Sequence, residues 1–253
     1  MAPRAAKEPA LNGDGVVCHG LTKEFGRHRV LDDVSFAAPY GAVTGFVGMN
    51  GAGKTTTMRI LLGLVAPDAG RALVAGGRYA ELDRPRYTVG AVLDAVGAHP
   101  GQTGRAFLRG LTATAGIRDD RVEEVLELVE LTDAAHRRTG GYSLGMRQRL
   151  SLAAALLGDP PILLLDEPAN GLDPLGIRWM RRLLRGLAEE GRTVLVSSHQ
   201  LGELETVADR VVMIHQGRLI ADAPIEELAR GGAGLEEVFF QLSGAERTGE
   251  QET

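Results

Sequence analysis

Gly48-Met49-Asn50-Gly51-Ala52-Gly53-Lys54-Thr55-Thr56 fits the spacing G-x-x-x-x-G-K-[ST], a pattern that holds nucleotide phosphates. Gly48, Gly51 and Gly53 open backbone conformations that side chains forbid, so successive N–H groups can face one anion. Asn50, Ala52 and Thr56 complete the cradle. Lys54 has the reach for the β- and γ-phosphates, and the Thr55 hydroxyl suits Mg²⁺. A helix starting near Lys54 points its positive end at the same anion.

Two further groups of residues suit that chemistry. Ile162-Leu163-Leu164-Leu165-Asp166-Glu167 is an apolar run closed by two acids, as in a buried strand that delivers carboxylates to the ligand-binding edge of a sheet. Asp166 suits the Mg²⁺ shell, and Glu167 suits a base for an attacking water. A solvated acidic turn is the plainer reading of the same residues. Thr193-Val194-Leu195-Val196-Ser197-Ser198-His199 is a second apolar run, and the same edge argument places His199 near the γ-phosphate. Tyr142-Ser143-Leu144-Gly145-Met146-Arg147-Gln148 precedes a helix that Ser143 can cap. Ser143 and Gly145 at a helix start also make an anion site, and a second such terminus invites a second chain.

The elements that must position these groups are legible in outline. Val43-Thr44-Gly45-Phe46-Val47 reads as a buried strand before the glycine loop, and the residues from Thr56 to Leu62 as an amphipathic helix after it. Runs at 16–20 and 30–36 read as antiparallel strands, with another short strand at 72–75. From about Arg84 to Leu157 the pattern is mostly helical; strand signals return at 162–165, 193–197 and 211–215, separated by helices, notably Pro174 to Glu189. The alternation implies a parallel sheet with helices on its faces. Leu235 to Phe240 reads as a last docking helix.

The chain has 253 residues, with 28 basic and 33 acidic residues and a net charge of -5. That balance argues against a sequence-independent nucleic-acid binder. The single cysteine, Cys18, sits in an apolar run, reads as a small core residue and fits a reducing compartment. No secretory signal is expected, and no run is long enough to span a membrane, since Gly158-Asp159-Pro160-Pro161 interrupts the most apolar stretch. The basic face Arg178, Arg181, Arg182 and Arg185 reads as solvated, with Trp179 packed beneath it. His99 and His136 lack metal-ligand spacing.

The ordered set of phosphate loop, Ser-Leu-Gly-Met-Arg-Gln, Leu-Leu-Leu-Asp-Glu-Pro, Gly171-Leu172-Asp173-Pro174 and Ser197-Ser198-His199 resembles the nucleotide-binding subunit of ATP-binding-cassette transporters over about residues 15 to 240. The resemblance implies an α/β P-loop NTPase fold with a RecA-like parallel sheet core, an N-terminal antiparallel β subdomain and an inserted helical subdomain. It implies one domain over 15–241, with the core at 15–84 and 159–230 and the helical part at 85–158, between tails at 1–14 and 242–253. It implies ATP and Mg²⁺ as ligands and ATP hydrolysis as the activity. The implied assembly is a head-to-tail pair of cassettes, Ser143 and Gly145 reaching the γ-phosphate across the interface and Asp173 coupling the two sites. Phe25 stands where the family carries an adenine-stacking aromatic; core packing is its alternative role. Two departures stand out. Ser143-Leu144-Gly145 replaces the usual Ser-Gly-Gly, a variant similar to that of bacterial drug- and peptide-antibiotic exporters. Asp94 stands in place of a usual glutamine, where it can offer an oxygen to Mg²⁺.

The function so implied is an ATPase that powers a separate transmembrane permease, an exporter of drugs, peptides or lipids. The protein would lie on the cytoplasmic face of the cell membrane and touch the membrane only through that permease. Export is favoured by the Ser-Leu-Gly-Met variant and by the absence of an import-type regulatory domain after residue 240. The alternative is a soluble cassette protein of translation or DNA maintenance. Against it, the chain carries one cassette, and too few residues separate Lys54 from Asp166 for a long coiled-coil arm. A non-hydrolysing nucleotide sensor is a third reading, opposed by Glu167 and His199.

Overall fold

The computed structural model describes residues 14–93, 97–228 and 234–244. Two long strands, β1 (Asp14–Phe25) and β2 (His28–Pro39), form a hairpin, and β4 (Ala69–Val74) pairs antiparallel on the other side of β1. The strands exceed the apolar runs that announce them. Asp14, expected in the tail, already pairs with Pro39. β3 (Ala42–Val47) leaves this layer for a second sheet and runs into the glycine loop and α1 (Lys54–Leu61).

α2 (Pro85–Thr88) then leads into β5 (Val89–Val92). The helical excursion follows: α3 (Gly104–Ala115), α4 (Arg121–Leu128) and α5 (Leu144–Leu156). The chain returns through β6 (Ile162–Asp166), α6 (Pro174–Glu189), β7 (Thr193–Ser198), α7 (Leu201–Leu204), β8 (Arg210–His215) and β9 (Arg218–Pro224). It closes with α8 (Ile225–Leu228) and α9 (Leu235–Ser243). The second sheet has the order β5-β6-β7-β3-β8-β9, parallel except for the β8–β9 hairpin. Val89 to Val92, which the sequence pattern groups with the helical part, is therefore an edge strand of this sheet, paired from Val89↔Ile162 to Val92↔Leu165. Leu242 and Ser243 extend the last helix into what reads as a tail.

Strand β6 has no polar residue before Asp166 because both of its faces are covered. Leu163 and Leu165, with Val194, Val196, Val211 and Met213, face the helices of the excursion and α6. Ile162 and Leu164, with Leu195, Val212 and Ile214, face α1 and the antiparallel sheet. The period-2 alternation of a strand thus feeds two cores. Phe36 of β2 stacks on Phe46 of β3 with ring centroids 5.0 Å apart, which ties the two sheets together. Cys18 is fully buried in the second of these cores. Phe239 of α9 packs edge-on against His215 at 6.1 Å, so the last helix docks as its pattern suggests. Among the described residues, no helix is long and apolar enough to cross a membrane.

Candidate functional site

The strands that end at the site are consecutive in the sheet: β6, β7, β3. Their register places Asp166 and Phe46 on either side of Ser197, and Val47 opposite Ser198. The chain leaves β3 through residues 48–53 and enters α1 at Lys54, with Gly53 at the helix N-cap. Gly53 adopts φ 110°, and a Cβ there would lie 2.5 Å from Leu31 Cδ2 and 2.9 Å from the Val30 carbonyl. Only glycine fits that position, where the antiparallel sheet presses on the loop. The Thr57 amide is bonded to the Gly53 carbonyl at 2.9 Å. The amides of Gly53, Lys54, Thr55 and Thr56 therefore have no acceptor within the helix and stand at its positive end. Asn50 and Gly51 are exposed at the rim, while Ala52 is buried and its amide bonds Met49 O.

Lys54 is buried, with Nζ donating to Gly48 O at 2.6 Å and lying 3.4 Å from Glu167 Oε1. The ammonium is thus fixed inside the loop, a preorganised cation for a phosphate oxygen. The Thr55 hydroxyl donates to Asp166 Oδ2 at 2.6 Å, and Ser197 Oγ donates to Asp166 Oδ1. The hydroxyl and the carboxylate expected to share Mg²⁺ therefore meet across a span of 111 residues. They are hard oxygen donors, few in number, which suits a cation that keeps waters and substrate phosphates in its shell.

Glu167 leaves β6 at φ 49°, a left-handed conformation that few non-glycine residues adopt. Its amide donates to Ser197 O at 3.2 Å and to Ser197 Oγ at 3.0 Å, which pins this backbone turn. The carboxylate is shared: Oε1 faces Lys54 and Oε2 lies 2.8 Å from His199 Nδ1. An ionised carboxylate only accepts, so Nδ1 carries the proton of that bond.

Ser143, Gly145 and Asp173 form a second group. Ser143 Oγ caps α5 by accepting from the Met146 amide at 3.2 Å, and Asp173 Oδ1 caps α6 by accepting from the Gly176 amide at 2.7 Å. Among the described residues no hydrogen bond joins this group to the phosphate loop. Phe25 is 52% exposed at the end of β1, next to the hairpin turn, with Lys23 Nζ 5.3 Å from its ring. Core packing is excluded for it. Asp94 lies outside the described residues.

Two participants escaped the sequence reading. Ser197 braces both Asp166 and Glu167, a role that a serine in an apolar run does not signal. Glu203 of α7 lies within electrostatic reach of Glu167 and His199; burial pushes its carboxyl above the ordinary value and the Glu167 charge adds to that, with Arg181 and His199 opposing. The basic helix face is less idle than its pattern suggests, because Arg185 bonds Asp209 at 2.6 Å. Trp179 is packed as expected, and the Arg149 guanidinium lies 3.9 Å from its ring centroid.

The family described as "ABC transporter" matches residues 31–170. The bacitracin transport ATP-binding protein BcrA of Bacillus licheniformis is 40% identical over 226 residues, covering 88% of this chain and 73% of that protein. The lantibiotic transport ATP-binding protein SrtF of Streptococcus pyogenes is 34% identical, covering 87% of this chain and 93% of its own. A solved ATP-binding subunit of an ABC transporter superposes with a TM-score of 0.81 at 28% identity, covering 90% of this chain and 98% of that one.

Proposed function

This chain belongs to the ABC transporter family as an ATP-hydrolysing cassette, and from that premise we propose that it powers a separate transmembrane permease exporting drugs, peptides or lipids. The observation that carries the reading is the joining of Thr55, Asp166 and Ser197 beside the paired Lys54, Glu167 and His199, all at the mouth of one glycine loop. The relatives named for bacitracin and lantibiotic transport support export over a role in translation or DNA maintenance.

In this reading the amides at the start of α1 and Lys54 hold the β- and γ-phosphates, and Phe25 stacks on the adenine. Thr55 and Asp166 would hold Mg²⁺. The cation supplies charge neutralisation on the phosphates when bound. Glu167 accepts the proton of an attacking water, and His199 orients that carboxylate and faces the γ-phosphate. Phosphoryl transfer asks mainly for positioning and electrostatics, which these groups provide. Ser143 and Gly145 of a second copy close the far side of the nucleotide, and Asp173 links the two sites, so ATP shifts the population toward a closed dimer. The protein works on the cytoplasmic face of the membrane and is held there by its permease.

The test is complementation. A strain lacking the chain should gain sensitivity to compounds of the bacitracin or lantibiotic class, restored by the wild-type chain and not by Glu167→Gln. Unchanged sensitivity across a broad panel of such compounds would remove the export assignment. In size-exclusion chromatography the Glu167→Gln chain should run as a dimer with Mg-ATP and smaller without it; a monomer in both conditions would sink the homodimer.

A further inference from the structure

Two leucines and two glycines cross between the start of α5 and the turn before α6. A methyl group on Gly171 would overlap Leu144 Cδ2, and one on Gly145 would lie 3.4 Å from Leu172 Cδ2. Each leucine thus lies over the glycine of the facing segment. Leu172 also lies against Gly176, where a Cβ would come within 3.2 Å of Leu172 Cβ. Among the described residues no hydrogen bond joins the two segments, so this packing is their direct link.

What the packing joins is the point. The α5 segment carries Ser143 beside Leu144. The facing turn begins at Glu167 and ends at Asp173. Glu167 at its start is pinned by its bonds to Ser197, but beyond that residue the turn is thinly held: Asn170 N bonds Glu167 O at 3.2 Å, Leu172 N bonds Ala169 O at 3.1 Å, and the Asp173 cap closes it. It contains two left-handed residues, Glu167 at φ 49° and Gly171 at φ 74°. Gly171 takes its well without cost, but Glu167 holds one that is unfavourable for a residue with a side chain, and it stays there only if its surroundings over-determine it. Leu144 is 42% exposed, yet its buried portion bears on Gly171, four residues from the Glu167 carboxylate.

We propose that Leu144 is a positioning residue for hydrolysis: through Gly171 it locks the turn that bears Glu167 to the turn that bears Ser143. A nucleotide contact at Ser143 and the placement of Glu167 then become one event. The inference rests on the roles given above to Glu167 and Ser143.

The experiment uses the purified full chain with Mg-ATP. Leu144→Ala should lower kcat about tenfold, as expected for a misplaced base, with ATP affinity and Tm close to wild type. Leu144→Met, which keeps length and apolarity, should restore kcat to within about twofold. Gly171→Ala should cost more in the wild-type background than in Leu144→Ala, because the added methyl meets Leu144; the double variant would then depart from the product of the singles. An unchanged kcat in Leu144→Ala, strictly multiplicative variants, or a kcat loss that merely tracks a fall in Tm would each overturn the lock. Glu167→Gln in the same assay separates the two levels. Its loss of turnover beside a normal Leu144→Ala sinks the lock alone; its retained turnover sinks the assignment of Glu167 and the lock with it.

Discussion

Glu167 Oε2 lies 2.8 Å from His199 Nδ1, joining the end of β6 to the residue that follows β7. Neither side chain is buried, at 20% and 36% side-chain exposure, so both remain open to an arriving ligand. Paired in this way, the two side chains are expected to act on one water as a unit.

Glu167→Gln should keep ATP binding and lose turnover by about 10²–10⁴-fold, the range for a positioned base. His199→Ala should fall less, since it removes an orienting bond and leaves the base. The double variant should be scarcely worse than Glu167→Gln alone, because residues that act as a unit are not additive. Steady-state phosphate release checks all three. Independent, multiplicative losses would separate the two residues.

The hydrogen bond of 2.6 Å between Thr55 Oγ1 and Asp166 Oδ2 predicts where Mg²⁺ matters. Thr55→Ala and Asp166→Asn should each raise the Mg²⁺ concentration for half-maximal turnover by about 10–100-fold. The check is a Mg²⁺ titration at fixed ATP. An unaltered midpoint in both variants would place the cation elsewhere.

The exposed ring of Phe25 should matter for affinity and little for chemistry. Phe25→Ala should weaken ATP binding by about 1–3 kcal/mol in calorimetry, whereas Phe25→Tyr should bind as the wild type does. Equal affinity in Phe25→Ala would leave the ring without a role in binding the base.

Legibility followed burial. Strands β6 and β7 are apolar on both faces and announce themselves as unbroken runs, so the pattern alone puts Asp166, Glu167 and His199 at strand ends. Val89-Gly90-Ala91-Val92 gave no such signal. It is four residues long, half of them small, and four apolar residues fit a helix turn as well as a strand. Gly90 is small for a reason that only the fold reveals: a Cβ there would run into the Ala155 carbonyl of α5. Ser197 was readable as part of a motif but not as the brace for two acids, because that role depends on which strands are neighbours. The exposure of Phe25 was equally hidden, since a Phe at a strand end suits a core or a ligand.

Burial also sets a pH dependence at Cys18. Full desolvation pushes this thiol well above its ordinary value. A group whose folded-state pKa is raised contributes stability that is present below the unfolded-state value, about 8.5 for a thiol, and is lost as pH rises towards the folded-state value. Tm should therefore drop more steeply between about pH 8 and 10 in the wild type than in Cys18→Ala. Thiol reagents should leave the native chain unmodified and react once it unfolds. Parallel Tm curves, or rapid native alkylation, would contradict the burial.

The helical excursion departs from Val92 and comes back at Ile162 of the adjacent strand, three residues out of register, so its two attachment points sit about 11 Å apart. A detour anchored at two such nearby points can be lengthened, trimmed or exchanged without redrawing the strand order beneath it. Variation outside the turn from Ser143 to Gly145 therefore has a place to accumulate that leaves the strand-borne groups of the site alone, and chimeras spliced at those two points that keep this turn are the engineering route it opens.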